Sequence, residues 1–226
     1  MNTPVIVDFP LRGEWIAPNT PGTRIPSHGT HQLGQTYAFD FLGVEPNGTS
    51  KQFYRVSPIH YFLLGVPLKD CYGWGRPIYA ATAGTVVQAQ DGVAERNPVI
   101  LARDLFMMFK NAWSFNSNKM PDLRVLTGNS ILVESADGYV LYAHAQNGSI
   151  RVSPGEKIVP GQHLANVGHS GNSTAPHLHF QLMDDLDPWK AKGIPCCFRE
   201  YEVFKDGSWH PVQNGIPTAK DQIRIA

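Results

Sequence analysis

Gly171-Asn172-Ser173-Thr174-Ala175-Pro176-His177-Leu178-His179-Phe180 is a turn-forming run that leads into an apolar segment carrying two histidines at spacing two. Read as a strand, it sends His177 and His179 to one face and Leu178 and Phe180 to the other, because side chains alternate along extended backbone. One imidazole can then bind a metal while its neighbour stands beside the ion. Nine histidines in 226 residues can supply such a pair by chance, so its surroundings carry the reading.

Those surroundings are strands joined by turns. Residues 130–134 and 139–144 flank the turn Ala136-Asp137-Gly138, a strong hairpin signal. Residues 77–89 read as two short strands broken at Gly84, residues 36–41 as a buried strand, and 198–204 with 208–212 as a closing hairpin. Residues 185–191 suggest a helical turn. The first 34 residues, rich in Pro, Gly, Asn and Thr, read as an extended arm with turns at 17–19 and 20–22. One stretch differs: Val99, Ile100, Leu101, Leu105, Phe106, Met108, Phe109 and Trp113 recur at three-and-four spacing, predicting an amphipathic helix near 98–116 whose apolar stripe packs into the core. Residues 118–121 separate it from the next strand.

Composition narrows the function. Lys+Arg 19 balances Asp+Glu 19, with no basic block interleaved with aromatics, which argues against nucleic acid as a partner. Cys71, Cys196 and Cys197 are odd in number and lack a Cys-x-x-Cys spacing, so buried free thiols are expected rather than a disulfide framework or a Cys-based zinc site. There is no basic and apolar leader at the start and no run of about 18 apolar residues, so the sequence as written reads as unexported and without a membrane span.

Metal-ligating residue types lie in three separated places: His28 or His31, Asp40, and the His177/His179 pair. His144 ends another strand. Each alone has an ordinary explanation as a loop, cap or core residue. Asp40, however, sits inside Tyr37-Ala38-Phe39-Asp40-Phe41, where a charge among apolar residues is costly unless a cation or hydrogen bonds compensate it.

Taken together, these segments resemble the M23 zinc metallopeptidases, the lysostaphin, LytM and β-lytic endopeptidases. The resemblance rests on the order His, Asp, His, His-x-His, on residues 37–41, 78–86, 142–144 and 152–161, and on Val167-Gly168-His169-Ser170-Gly171-Asn172-Ser173 followed by Pro176-His177-Leu178-His179-Phe180. It spans roughly residues 25–185. The chain departs from the usual family pattern at the first ligand, where Thr36 occupies the place four residues before Asp40. A longer gap, as in the β-lytic type, would use His28, beside Gly29, which permits a sharp turn; His31 competes with it.

The resemblance implies a mainly β fold built on a duplicated hybrid motif of antiparallel sheets, with the helix near 98–116 as an insertion. It implies a single peptidase domain over 1–226: an N-terminal arm 1–24, a core of about 25–185 and a closing segment 186–226. It further implies Zn2+ held by His28, Asp40 and His179, with His144 and His177 as the catalytic pair at the open coordination position, and hydrolysis of peptide bonds in peptidoglycan stems or cross-bridges. The unexported, cytoplasmic reading of the sequence sits poorly with a family that usually acts in the cell envelope or outside the cell. Two other readings compete: a non-catalytic LytM-like binding or regulatory module, which would have lost ligands that this chain keeps, and a D,D-carboxypeptidase of the related zinc group, whose closer spacing and downstream Glu-x-x-His are absent here.

Overall fold

Alternation along two neighbouring strands separates core from site. Phe39 and Phe41 on one strand, and Leu178 and Phe180 on the next, are fully buried on the core face. Asp40, His177 and His179 occupy the intervening positions, on the other face. The computed structural model describes residues 3–47, 50–114 and 122–226, with backbone alone at 112–114.

The strands in chain order are β1 (Val5–Val7), β2 (Gly13–Asn19), β3 (Phe39–Gly43), β4 (Pro77–Tyr79), β5 (Gly84–Gln90), β6 (Asn129–Ser135), β7 (Gly138–Ala145), β8 (Lys157–Ile158), β9 (His163–Asn166), β10 (His177–Met183), β11 (Gly193–Ile194), β12 (Cys196–Lys205), β13 (Ser208–Gly215) and β14 (Gln222–Ile225). A 12-stranded sheet runs in the order β1-β12-β14-β2-β3-β10-β7-β6-β5-β8, with β11 added to β10 and β13 to β12, and β4 pairs with β9 apart from it. The β1–β12 pairing is parallel. The other described pairings in this sheet are antiparallel. The fold is therefore mainly β, as the turn-rich sequence predicts.

The main core lies against β3, β10 and β7. Phe39 stacks on Phe41 at 5.6 Å, and Phe198 from β12 meets Phe39 edge-on at 5.0 Å. Each such buried ring contributes about 1.5–3 kcal/mol relative to exposure. Across the β3–β10 ladder His179 lies opposite Asp40, and across β10–β7 it lies opposite Ala143.

Several local expectations differ from the structure. Residues 32–37 form 3-10 turns, so the buried strand begins at Phe39 rather than at 36. The turn expected at 17–19 is strand: β2 runs to Asn19, and a register shift between Ile16 and Asn19 accommodates Pro18, which cannot donate to a ladder. At 185–191 a single turn closes on the Asp187 carbonyl, which accepts from Lys190 and Ala191.

The inserted helix is present, as α2 (Leu101–Ser114), after a shorter α1 (Pro58–Leu64). Its expected ends at 115–116, and the 118–121 connection, lie outside the described residues, as does the side chain of Trp113. The expected core stripe is core only at its start: Val99, just before the helix, is fully buried, whereas Phe106 and Phe109 are about two-thirds exposed (66% and 65%). Among the helix residues whose side chains are described, Asp104 is the buried one. Its carboxylate binds Arg96 and Arg103, at 2.8 Å and 3.1 Å, and accepts from the Ile100 backbone, so burial follows the ion-pair network and not the apolar stripe. Cys71, Cys196 and Cys197 are buried free thiols, as expected.

Candidate metal centre and its flanking histidines

The cross-strand register sets up the first two donors. Asp40 Oδ1 lies 2.9 Å from His179 Nδ1. The third comes from the loop before β3, where Gly29 adopts a left-handed φ of 74° and His28 turns inward, its Nε2 3.0 Å from Asp40 Oδ2. One ligand-type atom from each of His28, Asp40 and His179 lies within 4.8 Å of the others. His31 is placed elsewhere, exposed and paired with Thr36 Oγ1 at 3.1 Å.

The outer partners of the two imidazoles fix which nitrogen faces inward. Gln181 donates its amide to the Leu33 carbonyl, which leaves its Oε1 as the acceptor for Nε2–H of His179 at 2.9 Å. Ser27 donates to the Gln35 carbonyl and therefore accepts Nδ1–H of His28 at 3.0 Å. In its neutral form each ring can thus spend its hydrogen on the far side and present a lone pair toward Asp40. A cation placed there would draw those lone pairs and the carboxylate together, and this outer-partner arrangement is the one that orients metal-binding histidines. Two imidazoles and a carboxylate also make a donor set suited to zinc. The residues fit the ion that the sequence resemblance implies.

His144 and His177 flank this cluster. The His144 ring lies 4.6 Å from that of His177 and 6.1 Å from that of His179. In a regular strand His144 would face away from its neighbour Ala143, which shares a face with His179. Its φ of 63°, in the left-handed region, breaks the alternation and brings the ring to the site. Nδ1–H of His144 donates to the Ser170 carbonyl at 2.9 Å, and Nδ1–H of His177 donates to the Ala175 carbonyl at 2.7 Å. One loop therefore holds both rings by backbone carbonyls at Nδ1, and Nε2 of His177 faces Asp40 Oδ1 at 3.5 Å.

Electrostatics separate the two rings. Burial and the neighbouring His177 and His179 hold His144 well below its ordinary range. For His177 burial opposes the charge, but Asp40 and the Ala175 carbonyl outweigh it and its pKa is raised. Burial also works against the Asp40 carboxylate, yet His28, His177 and His179 hold it well below the usual carboxylate range.

Several contributors were not singled out from the sequence. Gln181 could have been, since it continues the 177/179 alternation on the same face. Asn19, which donates to Asp40 Oδ2 at 2.7 Å, carries no signal of its own. Among the described residues no helix is long and apolar enough to cross a membrane. Nothing in the fold supports the cytoplasmic reading.

The model of Peptidase family M23 matches residues 116–191. That span holds His144, His177 and His179, and the match supports an M23-family peptidase, the family whose motifs the sequence resembles. The chain is also similar to the catalytic domain of the antimicrobial peptidase lysostaphin from Staphylococcus simulans, at 18% identity over 83% of this chain and 86% of that one, with a TM-score of 0.38. A mutant catalytic domain of the prophage-encoded M23 protein EnpA from Enterococcus faecalis matches at 22% identity over 64% and 85%, with a TM-score of 0.35. A zinc-containing peptidase from Vibrio cholerae matches at 21% over 57% of this chain and 30% of that one, with a TM-score of 0.32. At these scores the function rests on the family match and on the site itself.

Proposed function

We propose that this chain is a zinc-dependent endopeptidase that hydrolyses peptide bonds in peptidoglycan stem peptides or cross-bridges. The observation that carries the reading is the convergence of His28 Nε2, Asp40 and His179 Nδ1, with both imidazole hydrogens taken up on the far side by Ser27 and Gln181. These three residues would hold the ion. When bound there, zinc supplies Lewis acidity that polarises a scissile carbonyl and acidifies a water molecule.

The chain's own residues do the rest. His177, whose Nε2 lies beside the proposed ion site 3.5 Å from Asp40 Oδ1, receives the proton of the attacking water and passes it toward the leaving amine. His144, kept neutral by burial, stands on the same side of the cluster and orients the reacting groups. Backbone carbonyls of Ser170 and Ala175 keep both rings in the required form. The single-domain reading of 1–226 belongs to the same proposal, with the β1 and β2 segments and the closing β12–β14 segment packed into the sheet that carries the site.

The test is digestion of purified peptidoglycan by zinc-loaded protein, with new termini mapped by mass spectrometry and His177→Ala as the control. Zinc-dependent release of peptides with new amino termini supports the proposal. Stoichiometric zinc without any release from peptidoglycan points to the binding-module reading, and absence of zinc binding removes the metal centre.

A further inference from the structure

The short helix α1 turns an uncharged face to solvent. Its inner residue Tyr61 meets Phe53 edge-on, with ring centroids 5.7 Å apart, and packs on the small cluster of Val66, Leu68, Cys71 and Val99. That contact fixes the helix so that Ile59, Phe62 and Leu63, at i, i+3 and i+4, lie together on the outer side. With Leu64 they are 65–86% exposed, Phe62 most of all. A surface helix ordinarily presents polar residues there, yet α1 carries no Asp, Glu, Lys or Arg. The apolar surface continues into α2. Val66 and Val99 pair backbone to backbone at 2.9 Å and 2.8 Å, and a Cβ on Gly65 would run into the Val99 carbonyl, so the end of α1 abuts the start of α2. Leu101 is exposed near that junction, and Phe106 and Phe109 project farther along α2 beside Lys110.

Charge is segregated around this face. Between Glu45 and Asp70 the sequence holds Lys51, Arg55 and Lys69 and no acidic residue, in a chain whose acidic and basic side chains are equal in number. Residues 96–114 hold Arg96, Arg103 and Lys110 with one acid, Asp104, which is buried and bound to Arg96 and Arg103. Arg55 and Lys69 lie beyond opposite ends of α1 and are brought together, because the Arg55 N–H donates to the Asp70 carbonyl at 2.9 Å. Arg55, Lys69 and Lys110 are all exposed. We propose that α1 and the start of α2 form a docking face for the surface of an anionic lipid bilayer, with Phe62 and Leu63 entering the acyl boundary and Arg55, Lys69 and Lys110 meeting the headgroups. Apolar burial and attraction to negative lipid act together there, and stable binding of this kind takes both. A second copy of the chain is the poorer occupant, since a two-fold contact would set the same basic residues against one another. Among the described residues no helix is long and apolar enough to cross a membrane, so the docking is peripheral. Asn111 donates to Asn172 at 3.1 Å, and Arg96 donates to the Gly171 and Ser173 carbonyls at 2.7 Å and 2.6 Å. These bonds brace α2 against the loop that leads into β10, so a docked chain holds its metal centre close to the bilayer. Binding is independent of the peptidase chemistry.

The test is co-sedimentation of the full chain, with no peptide substrate present, with vesicles of phosphatidylglycerol and phosphatidylcholine in equal parts and with vesicles of phosphatidylcholine alone. The expected result is binding to the anionic vesicles that weakens with added salt, and binding to the neutral ones about tenfold weaker or less. Phe62→Ser combined with Leu63→Ser, both at exposed positions that leave the packed side of α1 intact, should weaken binding about tenfold or more. Lys69→Gln combined with Lys110→Gln should weaken binding to the anionic vesicles and flatten its salt dependence. Val159→Ser removes a comparably exposed apolar side chain from the connection between β8 and β9 and should bind like wild type. Absence of binding to the anionic vesicles overturns the proposal, as does binding that the Phe62 and Leu63 substitutions leave unchanged or that Val159→Ser weakens equally. Sedimentation of vesicle-free protein tests the other occupant: a dimer that the Phe62 and Leu63 substitutions dissolve, in a chain that does not bind vesicles, assigns the face to a second copy and overturns the proposal.

Discussion

Asp40 stands directly across the β3–β10 ladder from His179, and its two carboxylate oxygens reach different imidazoles, Oδ1 toward His179 and Oδ2 toward His28. The carboxylate is thus the shared centre of the cluster, and the two histidines depend on it rather than on each other.

That geometry separates metal binding from chemistry. Asp40→Ala and His179→Ala should lose zinc on desalting, whereas His144→Ala should keep stoichiometric zinc and lose turnover by about 10²–10⁴-fold. Elemental analysis with a peptidoglycan-release assay reads both. A zinc-replete, fully active His179→Ala protein would remove His179 from the metal centre.

Gln181 supports His179 from behind by accepting its Nε2–H. Gln181→Leu keeps the bulk but removes the acceptor, and should weaken zinc binding by about 10–100-fold. Competition with a chromophoric chelator measures this. An unchanged Kd would mean that the Gln181 contact does not orient the ring.

The loop that holds both flanking histidines is pinned by close backbone approach. Gly171 has a φ of +65°, and a Cβ there would lie 2.3 Å from the Gly128 nitrogen. Gly171→Ala should cost about 1–3 kcal/mol, seen as a lower urea midpoint. A midpoint equal to wild type would show that the loop relaxes freely.

Buried histidines set a pH signature in the metal-free protein. Burial and neighbouring rings lower His144, and burial lowers His169, so below about pH 6.5 the unfolded chain takes up protons that the folded chain refuses, and stability falls. His177 acts with the opposite sign. Its raised pKa protonates the folded form first, so its contribution is complete below about pH 6.5 and is lost as pH rises through the folded value. His169→Asn should therefore flatten the acid-side decline, by at most about 1.4 kcal/mol per pH unit. Urea midpoints of the variant and wild type between pH 5 and 8 measure the difference, and parallel curves would exclude His169 as a contributor.

Strand alternation made much of this site legible. The 177/179 spacing and the apolar flanks of Asp40 correctly indicate one shared face, because period-two geometry is local. The competition between His28 and His31 was not resolvable from sequence, since both lie in one irregular loop and only the tertiary placement of Gly29 and Ser27 brings His28 to Asp40. His144 was named as a site residue, but alternation alone would turn it away, and only its left-handed backbone explains its presence. The helix at 101–114 shows the opposite failure. Its apolar stripe suggested core packing, yet the residue buried there is a charge that the spacing did not single out, Asp104, held by Arg96 and Arg103.

The cluster is unequally mounted. Two donors ride on β3 and β10, the fifth and sixth strands along the ten-strand path of the main sheet, and the third rides on a surface connection. For the proposed zinc site, this makes a two-toothed chelate on a stiff support, closed by one movable tooth. Affinity would be written mainly in the sheet, while the lifetime of the bound ion would be written in the loop that carries His28.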